Sequence, residues 1–160
     1  MLNDHQITSV WEHLLAAETR ALYFGDLTSR YTAQKQWITG VSFFLSSGAA
    51  AAIIANAPPA IPVILALVVA AATAYAMAVN LDGRIRTMAQ LQSSWSQLAA
   101  RYDRLWSHLY GDDAEAELHA LIDGEREPSH IAALSAPYHE HLLRKWQDRV
   151  FALHHLTSAA

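Results

Sequence analysis

Two rows of basic side chains are the residues of this chain best suited to holding another molecule. Arg101, Arg104 and His108 recur at i, i+3 and i+7, while His141, Lys145 and Arg149 recur at steps of four with Arg144 beside them. On helices each row falls along one face, where guanidinium and ammonium groups can grip phosphate oxygens through charge-assisted, sometimes bidentate, contacts. These seven are the candidate phosphate-ligand residues. The same cations have an internal alternative, in which Arg101, Arg104, Arg144 and Arg149 pair with Glu18, Asp103, Glu140 and Asp148 on a solvated face.

A third set is neutral. Thr39, Ser42 and Ser46 follow one another at steps of three and four, a single polar stripe in an apolar segment. In an assembly of copies such a stripe can line an aqueous path, and these are the candidate pore-lining residues. Within one chain, serine in an apolar helix bonds its own i−4 carbonyl or eases close packing.

Other chemistries lack their residues. There is no cysteine, so disulfides and thiolate metal sites are excluded. His139-x-His141 and His154-His155 do not have the i, i+4 spacing with an acidic third ligand that zinc favours, so no metal or cofactor is expected. Asp112, Asp113, Glu115, Glu117, Asp123, Glu125 and Glu127 lack calcium-loop spacing and read as a solvated acidic surface. No nucleophile motif or glycine-rich phosphate loop occurs, and no enzyme is expected.

What must position these residues is dominated by one feature. From Lys35 to Asp82 the chain runs 46 residues without Asp, Glu, Lys or Arg, divided by Asn56-Ala57-Pro58-Pro59-Ala60-Ile61-Pro62. A bilayer core about 30 Å thick needs roughly 20 apolar residues per helix. Residues 37–57 and 61–81 each have that length, with the prolines at a short outer turn, 58–62. The expected fold is all-α, a two-pass transmembrane helical hairpin whose helices extend into the cytoplasm, with C-terminal cytoplasmic helices. Arg30, Lys35, Arg84 and Arg86 flank the spans, which by the positive-inside rule places both termini in the cytoplasm. The start, Met1-Leu2-Asn3-Asp4-His5, has no basic region leading into an apolar core, so the hairpin itself is expected to direct insertion.

The two spans differ. The second is rich in Val, Leu and Ile; the first has seven strongly favourable residues (Ile38, Val41, Phe43, Phe44, Leu45, Ile53, Ile54). At about −0.5 kcal/mol each they supply roughly −3.5 kcal/mol, which Ser, Gly and Asn erode. Neither span carries a charge, so proton relays and voltage sensing lack their usual groups. The Ala66, Ala70, Ala74, Ala78 ladder reads as a packing surface.

Outside the spans, 1–36 reads as a helix entering the membrane, with a kink expected at Gly25-Asp26, and 82–110 as its antiparallel partner. Leu91, Trp95, Leu98, Tyr102 and Leu105 recur at alternating steps of four and three, continuing the spacing from Met88 to Leu109. Such a heptad face is expected to be a seam joining copies into a homo-oligomer, four or more by geometry. With the reversal near Pro58-Pro59, residues whose numbers sum to about 118 should lie side by side on two helices of matched rise, Glu18 against Arg101. Gly111 should end this helix. In 111–160 a short helix near 114–123, a break at 124–128 and an amphipathic helix over 138–156 are expected, the last burying Leu142, Trp146, Val150 and Leu153.

The helix Leu91-x3-Trp95-x2-Leu98-x3-Tyr102-x2-Leu105-Trp106, after a Ser/Gly/Ala-rich span, a Pro-broken turn and an Ala/Val-rich span, resembles the SLATT family. These are two-transmembrane effector domains that accompany bacterial nucleotidyltransferases and nucleotide sensors. The resemblance covers about Trp11 to Val150. It implies an oligomeric pore-forming effector of anti-phage defence, opened by a nucleotide or oligonucleotide from a partner nucleotidyltransferase, that depolarises the membrane and arrests or kills the infected cell. A small non-conducting anchor that recruits a cytoplasmic partner fits the same layout, and a constitutive lytic protein is a further possibility.

Overall fold

The chain begins its first helix with a reciprocal cap. Asn3 Oδ1 accepts from the Gln6 backbone N–H and Gln6 Oε1 accepts from that of Asn3, both at 2.8 Å, the capping-box exchange that satisfies two otherwise orphan donors. The structure, a computed structural model, describes residues 2–46, 58 and 60–155. Among the described residues every regular element is helical: α1 Asp4–Ser46, α2 Ala60–Ala78, α3 Leu81–Trp106, α4 Ala114–Gly124, α5 Arg126–Ser135 and α6 Glu140–Leu153. The all-α expectation holds. Most of the Pro-rich reversal and the last part of the first expected span lie outside the described residues.

The chain divides into two units, Met1–Leu27 with Thr87–Ala160, and Thr28–Arg86. In the first, α1 and α3 run antiparallel around an apolar core. Trp11 meets Trp106 at 5.0 Å between ring centroids, His13 stacks on Tyr102 at 5.6 Å, and the Arg20 guanidinium lies 4.4 Å from the Trp95 ring centroid. Val10, Leu14, Ala17 and Ala21 from α1 are buried with Met88, Leu91, Trp95, Leu98, Tyr102 and Leu105 from α3. Leu118 and Leu121 of α4 and Leu142 and Val150 of α6 complete this core.

Gly25 does not interrupt α1. A Cβ there would fall 2.9 Å from the Gln92 side-chain nitrogen, the far end of a flexible side chain that can move aside. Helix α3 stops at Trp106, before the expected Gly111. Ser107 Oγ donates to the Arg104 carbonyl at 2.6 Å and the His108 backbone N–H turns to Leu105 at 2.9 Å. These side-chain and short-range bonds compete with the next helical turn. Glu125 alone separates α4 from α5, and Pro128 fits the first turn of α5, where a missing N–H costs nothing.

The second unit pairs the C-terminal part of α1 with α2. Ile38, Val41 and Ser42 share a small cavity with Val68, Val69 and Ala72. Its large apolar side chains face outward: Trp37, Phe43 and Met77 are each at least three-quarters exposed, and Val63, Ile64 and Leu67 more than half. The second expected span does not run straight on into α3. Asn80 takes a left-handed backbone, φ 49°, and its Oδ1 accepts from the Gly83 N–H at 3.2 Å; asparagine tolerates that conformation where most residues do not. Among the described residues no single helix is long and apolar enough to cross a membrane, and one pair, Val63–Ala78 with Leu81–Trp106, has the length and composition together but is bent by 43°.

Candidate functional site

The uncharged segment carries an open groove of about 670 Å³ inside the second unit. Thr39 and Ser42 of α1 line it, facing Thr73 of α2 and Asn80 at the break before α3. The expected polar stripe is thus matched by polar groups on the neighbouring helix. The Ser46 side chain lies outside the described residues. Thr73 Oγ1 donates to the Val69 carbonyl one turn back at 2.8 Å, so this hydroxyl is satisfied within its own helix.

One end of the groove carries full charges. Lys35 Nζ lies 2.6 Å from Asp82 Oδ1, both side chains about half exposed. Asp82 sits in the first turn of α3, where the positive end of the helix favours a carboxylate. The Lys35 hydrogen bond and then its charge hold the Asp82 carboxyl below its ordinary 3.8, with Arg86 adding a smaller effect in the same direction. A depressed carboxyl pKa contributes stability that is present above the ordinary value and is lost as pH falls through the depressed one. The Asp82 carboxyl carbon, followed by NMR in detergent micelles, should therefore titrate below a normal aspartate in the wild type. In Lys35→Gln it should move back up toward the ordinary range.

The first unit holds a polar cluster centred on Glu125. Its Oε1 accepts from Tyr102 OH at 2.8 Å and from His13 Nδ1 at 2.9 Å, and Arg20 Nη1 lies 3.7 Å from Oε2. The Glu125 side chain is 14% exposed, so the acidic stretch is not wholly solvated, contrary to expectation. Burial first, then the hydrogen bond to Glu125 and its charge, push the Tyr102 phenol far above its ordinary range. Sequence reasoning missed this cluster, because its members come from four places along the chain. The available signal was a tyrosine at position 102 inside an apolar heptad face, since a buried phenol requires a hydrogen-bond partner.

Arg101 lines a polar groove of about 350 Å³ with Ser94, Gln97 and Glu127, while α6 packs on α1, where Trp146 Nε1 donates to Asp26 at 3.1 Å. Arg104, His108, His141, Arg144, Lys145 and Arg149 are exposed. Of the four internal pairings considered, only Arg144–Glu140 forms, at 2.9 Å. Lys145 and Arg149 instead approach the Trp146 ring at 4.9 and 5.7 Å.

Three expectations require correction. Leu91, Trp95, Leu98, Tyr102 and Leu105 are buried within one chain, so the face assigned to joining copies is the intramolecular core. The Glu18–Arg101 contact does not form, because Glu18 faces α6 and takes His154 Nε2 at 2.8 Å. Leu153, expected inside, is 65% exposed, and Trp146 is half-buried.

Compared with protein-family models, curated proteins and solved structures, the chain finds no match in any of the three.

Proposed function

We propose that the chain is a membrane protein whose Thr28–Arg86 unit carries a two-pass membrane hairpin, with both termini on the cytoplasmic side. The observation that carries this reading is the outward-facing apolar surface of that unit, where Trp37, Phe43, Leu67 and Met77 are all exposed by more than half. A water-facing surface of that kind would associate or aggregate, whereas lipid covers it without penalty. Helix α2, at 19 residues, spans about 28 Å, close to the hydrocarbon thickness. Lys35, Asp82, Arg84 and Arg86 then stand at its cytoplasmic border.

Several copies form an ion-conducting pore, with the groove bearing Thr39 and Ser42 facing the water path. One two-helix hairpin cannot enclose such a path. The first unit, with its exposed Arg101 and Arg104, acts as the regulatory part and takes a phosphate-bearing ligand. The resemblance to the SLATT family supports a role as a defence effector that depolarises the cell on a nucleotide-type signal. A non-conducting membrane anchor is the second reading, favoured by the internally satisfied Thr73 hydroxyl.

Expression in bacteria with a potential-sensitive dye separates the two. The wild type should depolarise the cells. Ser42→Leu should bring the signal down to that of cells without the protein, while leaving its amount in the membrane fraction unchanged. A flat wild-type signal across inducer levels and with candidate nucleotides supplied, or an undiminished response in Ser42→Leu, speaks against the pore.

A further inference from the structure

We propose that Asp82 is a monovalent-cation site at the mouth of the groove and that Lys35 is its tethered plug, the ammonium occupying in the resting state the place a permeating cation takes when the path is open. This inference rests on the pore reading and adds to it the selectivity and the resting block.

Among the described residues, Lys35 and Asp82 are the only ionised side chains that line the groove; the other described lining groups are apolar or neutral. A cation moving along it therefore meets one carboxylate and one competing ammonium. The two are 2.6 Å apart, and neither is enclosed: the side chains are 48% and 65% exposed, so water and small ions reach both. An ion pair this exposed contributes little to holding a fold together, and it separates readily. That suits a contact that must open better than one that must brace.

The backbone supports the same assignment. Asn80 breaks the helix with its left-handed conformation, and its side chain caps the turn that starts α3. This places Asp82 in the first turn of α3, where it lines the groove. Thr39, Ser42 and Asn80 offer neutral oxygens along the wall, which can replace part of a cation's hydration without trapping it. Arg86 acts on Asp82 from its own helix and moderates the attraction, so the carboxylate favours weak, exchangeable occupancy over tight binding. A ring of such carboxylates, one from each copy, is a common way for a pore to prefer cations.

The chain contains no cysteine, so a single introduced thiol can be addressed after the protein has folded and assembled. Full-length wild type, Lys35→Gln and Asp82→Cys would be reconstituted in planar bilayers of zwitterionic and anionic phospholipid, with reversal potentials read in a KCl gradient. Lys35→Gln should raise the resting conductance and shift the reversal potential toward that of K⁺. Asp82→Cys should lose cation preference, recover it on reaction with a sulfonate-bearing thiosulfonate, and lose or reverse it with the trimethylammonium analogue. Because the charge arrives on an assembled channel, a folding defect cannot imitate that pair of opposite shifts. A conducting wild type whose Asp82→Cys form keeps one reversal potential under both reagents overturns this proposal and leaves the pore standing. A wild type that never conducts overturns both.

Discussion

Replacing Trp95 with alanine lowers the stability of the first unit by about 3–5 kcal/mol, the range for removing a large aromatic side chain from a packed core. Trp95 is 1% exposed and lies under the Arg20 guanidinium at 4.4 Å, so the cation–π contact is lost as well, adding up to about 1 kcal/mol. Domains are stable by only about 5–15 kcal/mol, so a loss of this size should leave the unit partly unfolded at moderate temperature. Trp95→Phe behaves differently. Among the described residues the buried indole Nε1 has no hydrogen-bond partner, and phenylalanine removes that donor while keeping most of the ring, for a net cost of about 1 kcal/mol or less. Thermal and denaturant unfolding of the full chain in detergent micelles, read by circular dichroism, measures both. Because the residue is covered within one chain, the loss relative to wild type should be the same at every protein concentration. A difference from wild type that changes on dilution would show that copies share this face.

That prediction turns on what periodicity can and cannot say. Leu91, Trp95, Leu98, Tyr102 and Leu105 announce a covered face, because apolar residues at alternating steps of three and four line one side of a helix. They do not announce what covers it. The structure answers with Val10, Leu14, Ala17 and Ala21 of the same chain, whose smaller side chains leave room for Trp95 and Tyr102. The antiparallel pairing itself was legible: reversal near Pro58-Pro59 predicts neighbours close to those observed, Trp11 with Trp106 and Arg20 with Trp95. The Glu18 contact was not, since a register shift of one or two residues turns a side chain from one neighbouring helix to another. Glu18 accordingly meets His154 of the segment after α6.

The break before α3 shows a similar limit. Asn80-Leu81-Asp82-Gly83 contains residues that favour turns and helix starts, yet the apolar run around it suggested a continuous span. What decides the matter is local: asparagine can take φ 49° and cap the next turn with its own side chain. The groove takes Asn80 and Asp82 from this break. Thr39 and Ser42 were visible as a stripe, but their facing partners Thr73 and Asn80 are separated from them by more than thirty residues and by the reversal.

Glu125→Ala is expected to destabilise the first unit by about 2–3 kcal/mol, although the residue sits in a run of acidic residues that reads as solvated surface. Hydrogen bonds to an ionised group are worth about 1.5–3 kcal/mol, and a buried group left without its partner adds a desolvation cost. Two donors converge on the Glu125 carboxylate, Tyr102 OH at 2.8 Å and His13 Nδ1 at 2.9 Å. Tyr102 is 0% exposed and cannot turn to water when the carboxylate is removed, whereas the His13 side chain is 32% exposed and can. The orphaned phenol therefore dominates the loss. Tyr102→Phe in the Glu125→Ala background should recover part of it by removing that donor. Glu127→Ala, an exposed neighbour, should fall within about 0.5 kcal/mol of wild type. Alkaline titration supplies an independent reading. The folded chain holds the Tyr102 proton far above the ordinary phenol value of 10.0, so its contribution to stability is complete below that pH. It is lost progressively as pH rises, because the unfolded chain ionises first. Since burial is the largest single cause of the shift and Glu125 adds to it through its hydrogen bond and charge, Glu125→Gln should make this alkaline loss shallower without abolishing it. Tyr102→Phe should remove it altogether, and an unchanged alkaline profile in Tyr102→Phe would show that another group carries the effect.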